Sequence, residues 1–468
     1  MNNSMKRFSA FWLRVALGAI AVAPFYHASL HAQLPTAKTG ESAGSVAMRV
    51  LTLEECLKIA VGENLDVRTA IATAQDAAAT TRTTFGQYLP NASVSLGYNR
   101  TLNTVTGFNL GGSIQEVPIT NPDIFFASGN VNYTIFDGLA RENNNAAAQS
   151  NLTAADQNAS QTRRRILNTV RTQYFSVLRA KQTLRVRQED FEVGKKQLER
   201  IRAQREAGVV AIAAVYGQEA DVANRELAIV QAENDLEFAK GTLLTTLGMN
   251  PSVVSDFSDV QIPSTSEEDI KAFRSSIGEP AQAQTIAAAK RLDNSAAQAS
   301  LEGAQASVRA AQATWLPTIG LGYQYSWNGN SLGDFGQYAR QGLGLSLDYT
   351  IFNGFQREVS IQRAQIREQQ SLIQKRQAEQ RISADVQNGF IQLNAAEKNL
   401  DITARALKAA QQNFDAAEER FKVGAANILD LTTANANLAT SKINRITAIY
   451  NYLGAQYQMK FALGTLDE

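Results

Sequence analysis

Two periodicities alternate along the chain. From Thr318 to Ser326 the period is two: Ile319, Leu321, Tyr323 and Tyr325 fall on one side, Thr318, Gly320, Gly322, Gln324 and Ser326 on the other. That is the signature of a β-strand with one apolar face. From Gly342 to Phe352 the pattern repeats, with Leu343, Leu345, Leu347, Tyr349 and Ile351 against Gly342, Gly344, Ser346, Asp348 and Thr350. Earlier in the chain, Val94, Leu96 and Tyr98 oppose Ser93, Ser95 and Gly97, and Val131, Tyr133 and Ile135 oppose Asn130, Asn132 and Thr134. Four strands are expected. Their alternation fits a sheet with one wet face and equally the wall of a membrane barrel, apolar outside and small or polar inside. Tyr88, Tyr98, Trp315, Trp327, Tyr338 and Phe352 cluster near the strand ends. A closed barrel needs about eight strands or more, so a barrel here requires several chains. The joining segments 99–123 and 327–338 are rich in Gly, Asn, Ser and Thr and read as exposed loops.

After each strand pair the period changes to seven. Val386, Leu393, Leu400, Leu407, Phe414 and Phe421 keep this step, as do Val170, Val177, Leu184, Phe191 and Leu198, with Arg205 in the next place. A sustained seven-residue repeat predicts helices that supercoil with a left-handed twist. From Gly138 to Gly208 such a helix runs about 100 Å at ~1.5 Å per residue. Gly208 and Gly424 then read as helix ends, where glycine suits the left-handed conformation. Returning helices are expected over about 214–247 and 427–463, the second with a stripe of Ile428, Leu431, Leu438, Ile446, Ile449 and Leu453. Shorter helices, over 52–86 and 281–314, precede the strands.

The two halves are copies. Tyr133-Thr134-Ile135-Phe136-Asp137-Gly138 recurs as Tyr349-Thr350-Ile351-Phe352-Asn353-Gly354, an offset of 216 that also carries Gly208 onto Gly424 and Leu247-Gly248 onto Leu463-Gly464. Leu89-Pro90 matches Leu316-Pro317 at a slightly larger offset. The expected organisation is an N-terminal signal (1–32), a flexible segment (33–50), a first repeat (51–248), a linker (249–280) marked by Pro251, Pro263, Pro280 and Glu267-Glu268-Asp269, a second repeat (281–464) and a short tail (465–468).

Composition narrows the function. Of 468 residues 44% are hydrophobic and 19% charged, at a net charge of +1. This is a folded chain without the basic surplus of a nucleic-acid binder. Lys6 and Arg7, the largely apolar stretch Phe8 to Phe25, and Leu30 and Ala32 at the positions signal peptidase reads mark an export signal. Removing its three cations from +1 leaves −2. Both histidines, His27 and His31, lie in that signal, so the mature chain lacks the usual general base and the commonest metal ligand. The single cysteine, Cys56, has no internal disulfide partner. Leu53, Cys56, Leu57 and Ala60 share helical spacing, which makes Cys56 a small core residue. No nucleophile elbow, metal cluster or phosphate loop is found, so neither an enzyme nor a cofactor is expected. No later stretch can span a membrane as a helix, which leaves a barrel as the only spanning form.

Arg420-Phe421-Lys422-Val423-Gly424, Ile428-Leu429-Asp430-Leu431, Tyr450-Asn451-Tyr452 and Leu463-Gly464, with the opening Leu51-Thr52-Leu53-Glu54-Glu55-Cys56-Leu57, Asn64 and Leu89-Pro90, resemble the TolC-like outer-membrane efflux proteins over nearly the whole mature chain. The resemblance implies a mainly α chain with a membrane β-barrel, internally duplicated. Three chains would share twelve strands in the outer membrane and continue as a periplasmic helical tunnel. It also implies a periplasmic adaptor and an inner-membrane pump (of RND, ABC or MFS type) as partners, in drug efflux or type I secretion. By the same resemblance the turns holding Gly208, Val209, Gly424 and Ala425 face the adaptor and form the closing end. Asp430 matches one position of an aspartate ring, and Thr433 stands at a second. Phe421 replaces the tyrosine of a polar latch, Ala426 its arginine and Ala214 its aspartate, so Phe421 stands as a hydrophobic closure instead. Read as a residue alone, Asp430 is equally a helix-surface acid beside a positive N-terminus. The competing function is a periplasmic coiled-coil adaptor without a barrel, which explains the heptads but not the four strands.

Overall fold

The computed structural model describes residues 49–102, 105–110, 113–118, 122–251, 255–258 and 266–466. The export signal and most of the segment after it, Pro263, and the last two residues of the tail lie outside the described residues.

The long helices follow the duplication. Helix α3 (Ala140–Glu206) and helix α8 (Gln356–Lys422) each have 67 residues, and their return helices α4 (Ile212–Thr246) and α9 (Ile428–Ala462) each have 35. All four boundaries sit 216 apart. The seven-residue seam faces inward: Val170, Val177, Val386, Leu393 and Leu400 are buried, as are Leu198 and Phe421 at the far end. Each such side chain contributes roughly 1.5–3 kcal/mol by leaving water.

The expected shorter helices are each broken in two. The first becomes α1 (Leu53–Glu63) and α2 (Leu65–Gly86), the second α6 (Pro280–Lys290) and α7 (Leu292–Gln312). Asn64 is extended (φ −62°, ψ 129°). Its side chain accepts from the Val67 amide and donates to the Thr246 carbonyl. Arg291 is extended likewise (φ −76°, ψ 124°) and is held by Asp293 and Asp385. No Gly or Pro adjoins the second break, while the first follows Gly62 and is capped by Asn64 itself.

Strands β2 (Asn91–Arg100), β5 (Asp123–Phe136), β7 (Thr318–Gly329) and β8 (Arg340–Asp348) form one antiparallel sheet in the order β2-β5-β7-β8. The register keeps the two residue sets on separate faces. Leu96 pairs with Ala127, Tyr133 with Leu321, and Leu321 with Leu345; Ser93 pairs with Asn130, Asn132 with Gly322, and Gly322 with Gly344. The helices attached to these strands keep the same lateral order, α2 against α3, α3 against α7, α7 against α8.

Two expectations about strands are corrected. The first Tyr-Thr-Ile-Phe lies in β5, but the second does not lie in a strand. β8 ends at Asp348 opposite Thr318, the first residue of β7, so among the described residues no strand lies opposite Tyr349 to Phe352. Segment 99–123 is not all loop, because β3 (Val105–Leu110) and β4 (Ser113–Pro118) pair within it, on either side of Gly111-Gly112 in the sequence. The segment expected as a linker, 249–280, holds short elements of its own. β6 (Ser255–Phe257) pairs in parallel with β1 (Arg49–Leu51), and Ser266 caps helix α5 (Glu267–Ile277). The Tyr174 hydroxyl donates to the Ser258 and Leu51 carbonyls, tying this small sheet to α3.

Candidate functional site: the turn end of the helical hairpins

Both hairpins turn the same way. At the end of α3, the Gly208 amide donates to the Arg205 carbonyl and the Val209 amide to Gln204; at the end of α8, Gly424 donates to Phe421 and Ala425 to Arg420. This pair of bonds satisfies the last helical carbonyls and needs a left-handed residue at the turn. Gly208 has φ +78° and Gly424 φ +75°, with open space around both. Val209 and Val423 project into solvent at 72% and 77% exposure. The four residues proposed from sequence as a contact surface, Gly208, Val209, Gly424 and Ala425, therefore sit together on two solvent-facing turns.

Behind the turns lies an apolar plug. Leu198, Ile201 and Val215 of the first hairpin pack with Ala417, Phe421, Leu431 and Ala434 of the second, with Ala214 at the margin. Phe421 is thus inside the protomer, with the Arg200 guanidinium 5.9 Å from its ring centre. Asp430 is exposed and works as a cap: its amide donates to Asn427 Oδ1 at 2.9 Å and its carboxylate accepts from the Asn427 amide. Thr433, one turn on, is also exposed. The structure brings Asp430 and Thr433 onto one exposed face of α9, and packs Phe421, from α8, with Leu431 and Ala434 on the buried side of α9.

One cluster escaped the sequence reading. Asp190 (α3) accepts from the guanidinium of Arg225 (α4) and, at 2.6 Å, from Asn435 Nδ2 (α9). Arg225 also donates to the Asp190 backbone carbonyl at 3.0 Å and to Asp221 Oδ2 at 2.7 Å. Gln218 donates to Asp221, and Thr432 to Gln218. The side chains of Arg225 and Asp190 are 6% and 9% exposed. Gly194 makes the room: a Cβ there would come within 2.8 Å of the Arg225 chain. Burial pushes the Asp190 carboxyl above its ordinary range, against the pull of Arg225. In sequence, Asp221 and Arg225 look like an ordinary surface pair four apart. The available signal is asymmetry: shifted by 216, Asp190 and Arg225 become Ala406 and Ser441, and Asn435 becomes Glu219.

Among the described residues there is no group of acids, cysteines or histidines placed to hold a metal, and no helix long and apolar enough to cross a membrane. The sequence profile of the outer membrane efflux protein family matches residues 56–249 and 285–465, that is, both copies. The chain belongs to this family. It is 28% identical over 316 residues to outer membrane protein TolC of Escherichia coli, covering 65% of this chain and 62% of that protein. The match therefore spans less than two thirds of the length of TolC. To outer membrane efflux protein BepC of Brucella suis it is 24% identical over 337 residues, 72% of this chain and 71% of that one. Its fold is that of CusC, with a TM-score of 0.74 at 19% identity over 91% of this chain and 95% of that chain. Family membership sets the chain among non-enzymatic, TolC-like proteins of the outer membrane, which removes the adaptor alternative.

Proposed function

We propose that the chain is one protomer of a homotrimeric exit duct through the outer membrane, carrying drugs, small toxic compounds or proteins outward without making or breaking a bond. The observation that carries this reading is a matched pair of open edges. The sheet ends in β2 on one side and β8 on the other, and the helix layer ends in α2 and α8 on those same sides. A single rotation can therefore join β8 to β2 and α8 to α2 of the next copy, a head-to-tail contact that closes into a ring. β8 and β2 would meet antiparallel, and three four-stranded sheets give a twelve-stranded wall. Leu96, Leu343, Leu345 and Leu347 stand 66–75% exposed on one sheet face, an apolar surface that suits lipid. Val359, Ile366 and Ile373, seven apart and exposed on α8, suit the next copy's α2.

At the other end, Gly208-Val209 and Gly424-Ala425 are the surface for a periplasmic adaptor that connects to an inner-membrane pump of RND, ABC or MFS type. Asp430 and Thr433 line the closing end, with Asp430 as a ring of three acids, and Phe421 closes it from within each protomer by holding the hairpins together. The mature unit begins after residues 1–32 are removed, and repeats 51–248 and 281–464 build the two halves of each protomer. The names of relatives support the reading: BepC is an efflux protein, and the crystal structures of CusC concern transmembrane channel formation.

The test joins fractionation to function. Outer-membrane recovery, cross-linking to a three-chain band and ion conductance in planar bilayers are expected together. A soluble monomer without conductance overturns the proposal. Cysteine cross-links from positions 209 and 425 to a co-expressed adaptor test the docking surface.

A further inference from the structure

Midway along the long helices, α9 runs between α3 and α8, and the three enclose a cleft of about 630 Å³. Such a volume suits a small organic molecule. Its polar lining is one cation and a set of neutral groups: Arg179 on the α3 wall, Gln392 and Asn399 on the α8 wall, Asn451 and Gln458 on α9. Among the described residues no aspartate or glutamate lines it. Gln458 is oriented, because its Oε1 accepts from Asn168 Nδ2 at 2.9 Å and leaves its NH2 to donate. Arg179 is half-buried and, among the described residues, makes no ion pair. Phe175 and Tyr450, with ring centres 6.3 Å apart, give the cleft an apolar part.

The duplication supplies a comparison within the same chain. A second groove, of about 470 Å³, lies between α3 and α4. Its α4 residues Asp235, Phe238 and Thr242 are the counterparts, 216 positions earlier, of Asn451, Gly454 and Gln458. On its α3 wall, Arg179 and Thr183 correspond to Ala395 and Asn399. One groove is thus built twice and furnished differently. The first copy holds an acid, Asp235, and Phe238, 79% exposed. The second holds an amide and Gly454, around which a Cβ would touch nothing. Arg179 borders both, but only on the α9 side is it the sole charge. The helices reinforce that sign. Residues 157–188 of α3 hold eight cations and no acid, the matching stretch 373–404 of α8 has four of each, and α9 carries no acid after Asp430. Their sum places a positive potential over the cleft.

We infer that the cleft between α3, α8 and α9 is a binding site for a small organic carboxylate, with Arg179 as the group that pairs with it. A planar guanidinium can hold both carboxylate oxygens. The carboxamides take the ligand's remaining polar atoms, and Phe175 and Tyr450 meet its apolar body. All three walls belong to one chain, so the site goes beyond the duct reading and does not depend on it.

The test is isothermal titration of the full-length protein, in a non-ionic detergent, with 2-naphthoate and with uncharged 2-naphthamide of the same shape. Naphthoate is expected to bind, and naphthamide at least about ten-fold more weakly. Arg179→Gln should lower naphthoate affinity about ten-fold or more, the loss of a charged hydrogen bond. Asn451→Asp is isosteric and installs the residue that the first copy carries. It should weaken binding by setting an acid beside the ligand, and because Asn451 is exposed this variant keeps the fold even where loss of Arg179 does not. Gly454→Phe, again the first copy's residue, should occlude the cleft. Asp235→Asn, in the other groove, should not weaken binding. No naphthoate binding by the wild type, equal binding of naphthamide, or wild-type affinity in Asn451→Asp and Gly454→Phe overturns the inference. Displacement of naphthoate by an equal concentration of inorganic phosphate also overturns it, because the site would then hold a bare oxyanion. A protein that conducts ions but binds no naphthoate loses this inference alone and keeps the channel reading.

Discussion

Arg357 stands 216 positions after Arg141 and repeats its contacts at the second strand-to-helix junction. Arg141 donates to the Thr134 and Ile135 carbonyls, pairs with Asp137 at 3.2 Å, and lies 5.2 Å from the Tyr88 ring centre. Arg357 donates to the Thr350 carbonyl, its amide donates to Asn353 Oδ1, and it lies 4.3 Å from the Trp315 ring centre. Both follow a left-handed pair, Gly138-Leu139 or Gly354-Phe355, in which the second residue carries a side chain at positive φ. The arginine secures this strained corner by donating back to carbonyls just before it, at the end of β5 in the first copy and beyond the end of β8 in the second. Where the second copy loses the acid, it gains tryptophan, the better ring for a cation. Arg357→Ala is expected to destabilise the protein by about 2–4 kcal/mol, from a charged hydrogen bond plus a desolvated ring contact. Arg357→Lys should recover less than half, because an ammonium lacks the planar fork. Melting of the helical circular dichroism signal in detergent measures both; a lysine variant as stable as the wild type would remove the fork from the account.

A glycine pair separates conformational cost from steric cost. Gly424 and Gly464 both end helices at positive φ, +75° and +68°. Around Gly424 there is nothing a Cβ would touch, but at Gly464 it would meet the Lys290 carbonyl group at 3.0 Å. Gly424→Ala should therefore cost only the left-handed penalty of about 1–2 kcal/mol. Gly464→Ala should cost distinctly more, because α6 must also move. Parallel thermal melts decide it, and equal losses would mean that the contact with Lys290 relaxes freely.

What was legible in the sequence was whatever repeats. The seam from Val386 to Phe421 and the alternation around Leu321 and Leu345 each put many side chains on one side of an element, and burial and register follow that pattern. The constant 216 carried the helix ends onto one another because the turns need glycine. Features that depend on a single partner were not legible. Arg291 breaks its helix through an ion pair with Asp385 on a distant helix, and Asn64 adds a bond to the Thr246 carbonyl to the local cap it makes with the Val67 amide. Tyr349 to Phe352 lie beyond Asp348, which pairs with the first residue of β7, Thr318. Arg225 is buried because Gly194 lies across from it, 31 positions away, and nothing on its own helix announces that. For the turn end, the sequence located the turns and Asp430, but not that Phe421 packs inside the protomer.

Cys56 offers a clean check on the core. Burial, helped by the charge of Glu55, pushes its thiol up to about 12 from 9.0, and its surface is fully enclosed. At pH 8 only about one thiol in ten thousand would be ionised, and the thiolate is the reactive form. The native protein should give no reaction with a disulfide reagent at that pH, and one thiol per chain once unfolded. Rapid labelling of the native protein would contradict the placement of α1 against the core.

Asp430 allows its two roles to be separated, because one needs charge and the other only a hydrogen-bond acceptor. As a cap it accepts from the Asn427 amide while Asn427 accepts from its own, and removing it with Asp430→Ala should cost about 1 kcal/mol of helix stability. As a proposed ring of three acids it would draw cations into the closing end, and that attraction disappears with the charge. Asp430→Asn retains an acceptor oxygen and loses the charge. It should therefore keep the melting temperature near the wild-type value while abolishing block of single-channel current by divalent cations. Asp430→Ala should lose both. If Asp430→Asn channels remain blocked by divalent cations as the wild type is, Asp430 is a cap and nothing more, and selectivity at the closing end must be sought elsewhere on the exposed face of α9.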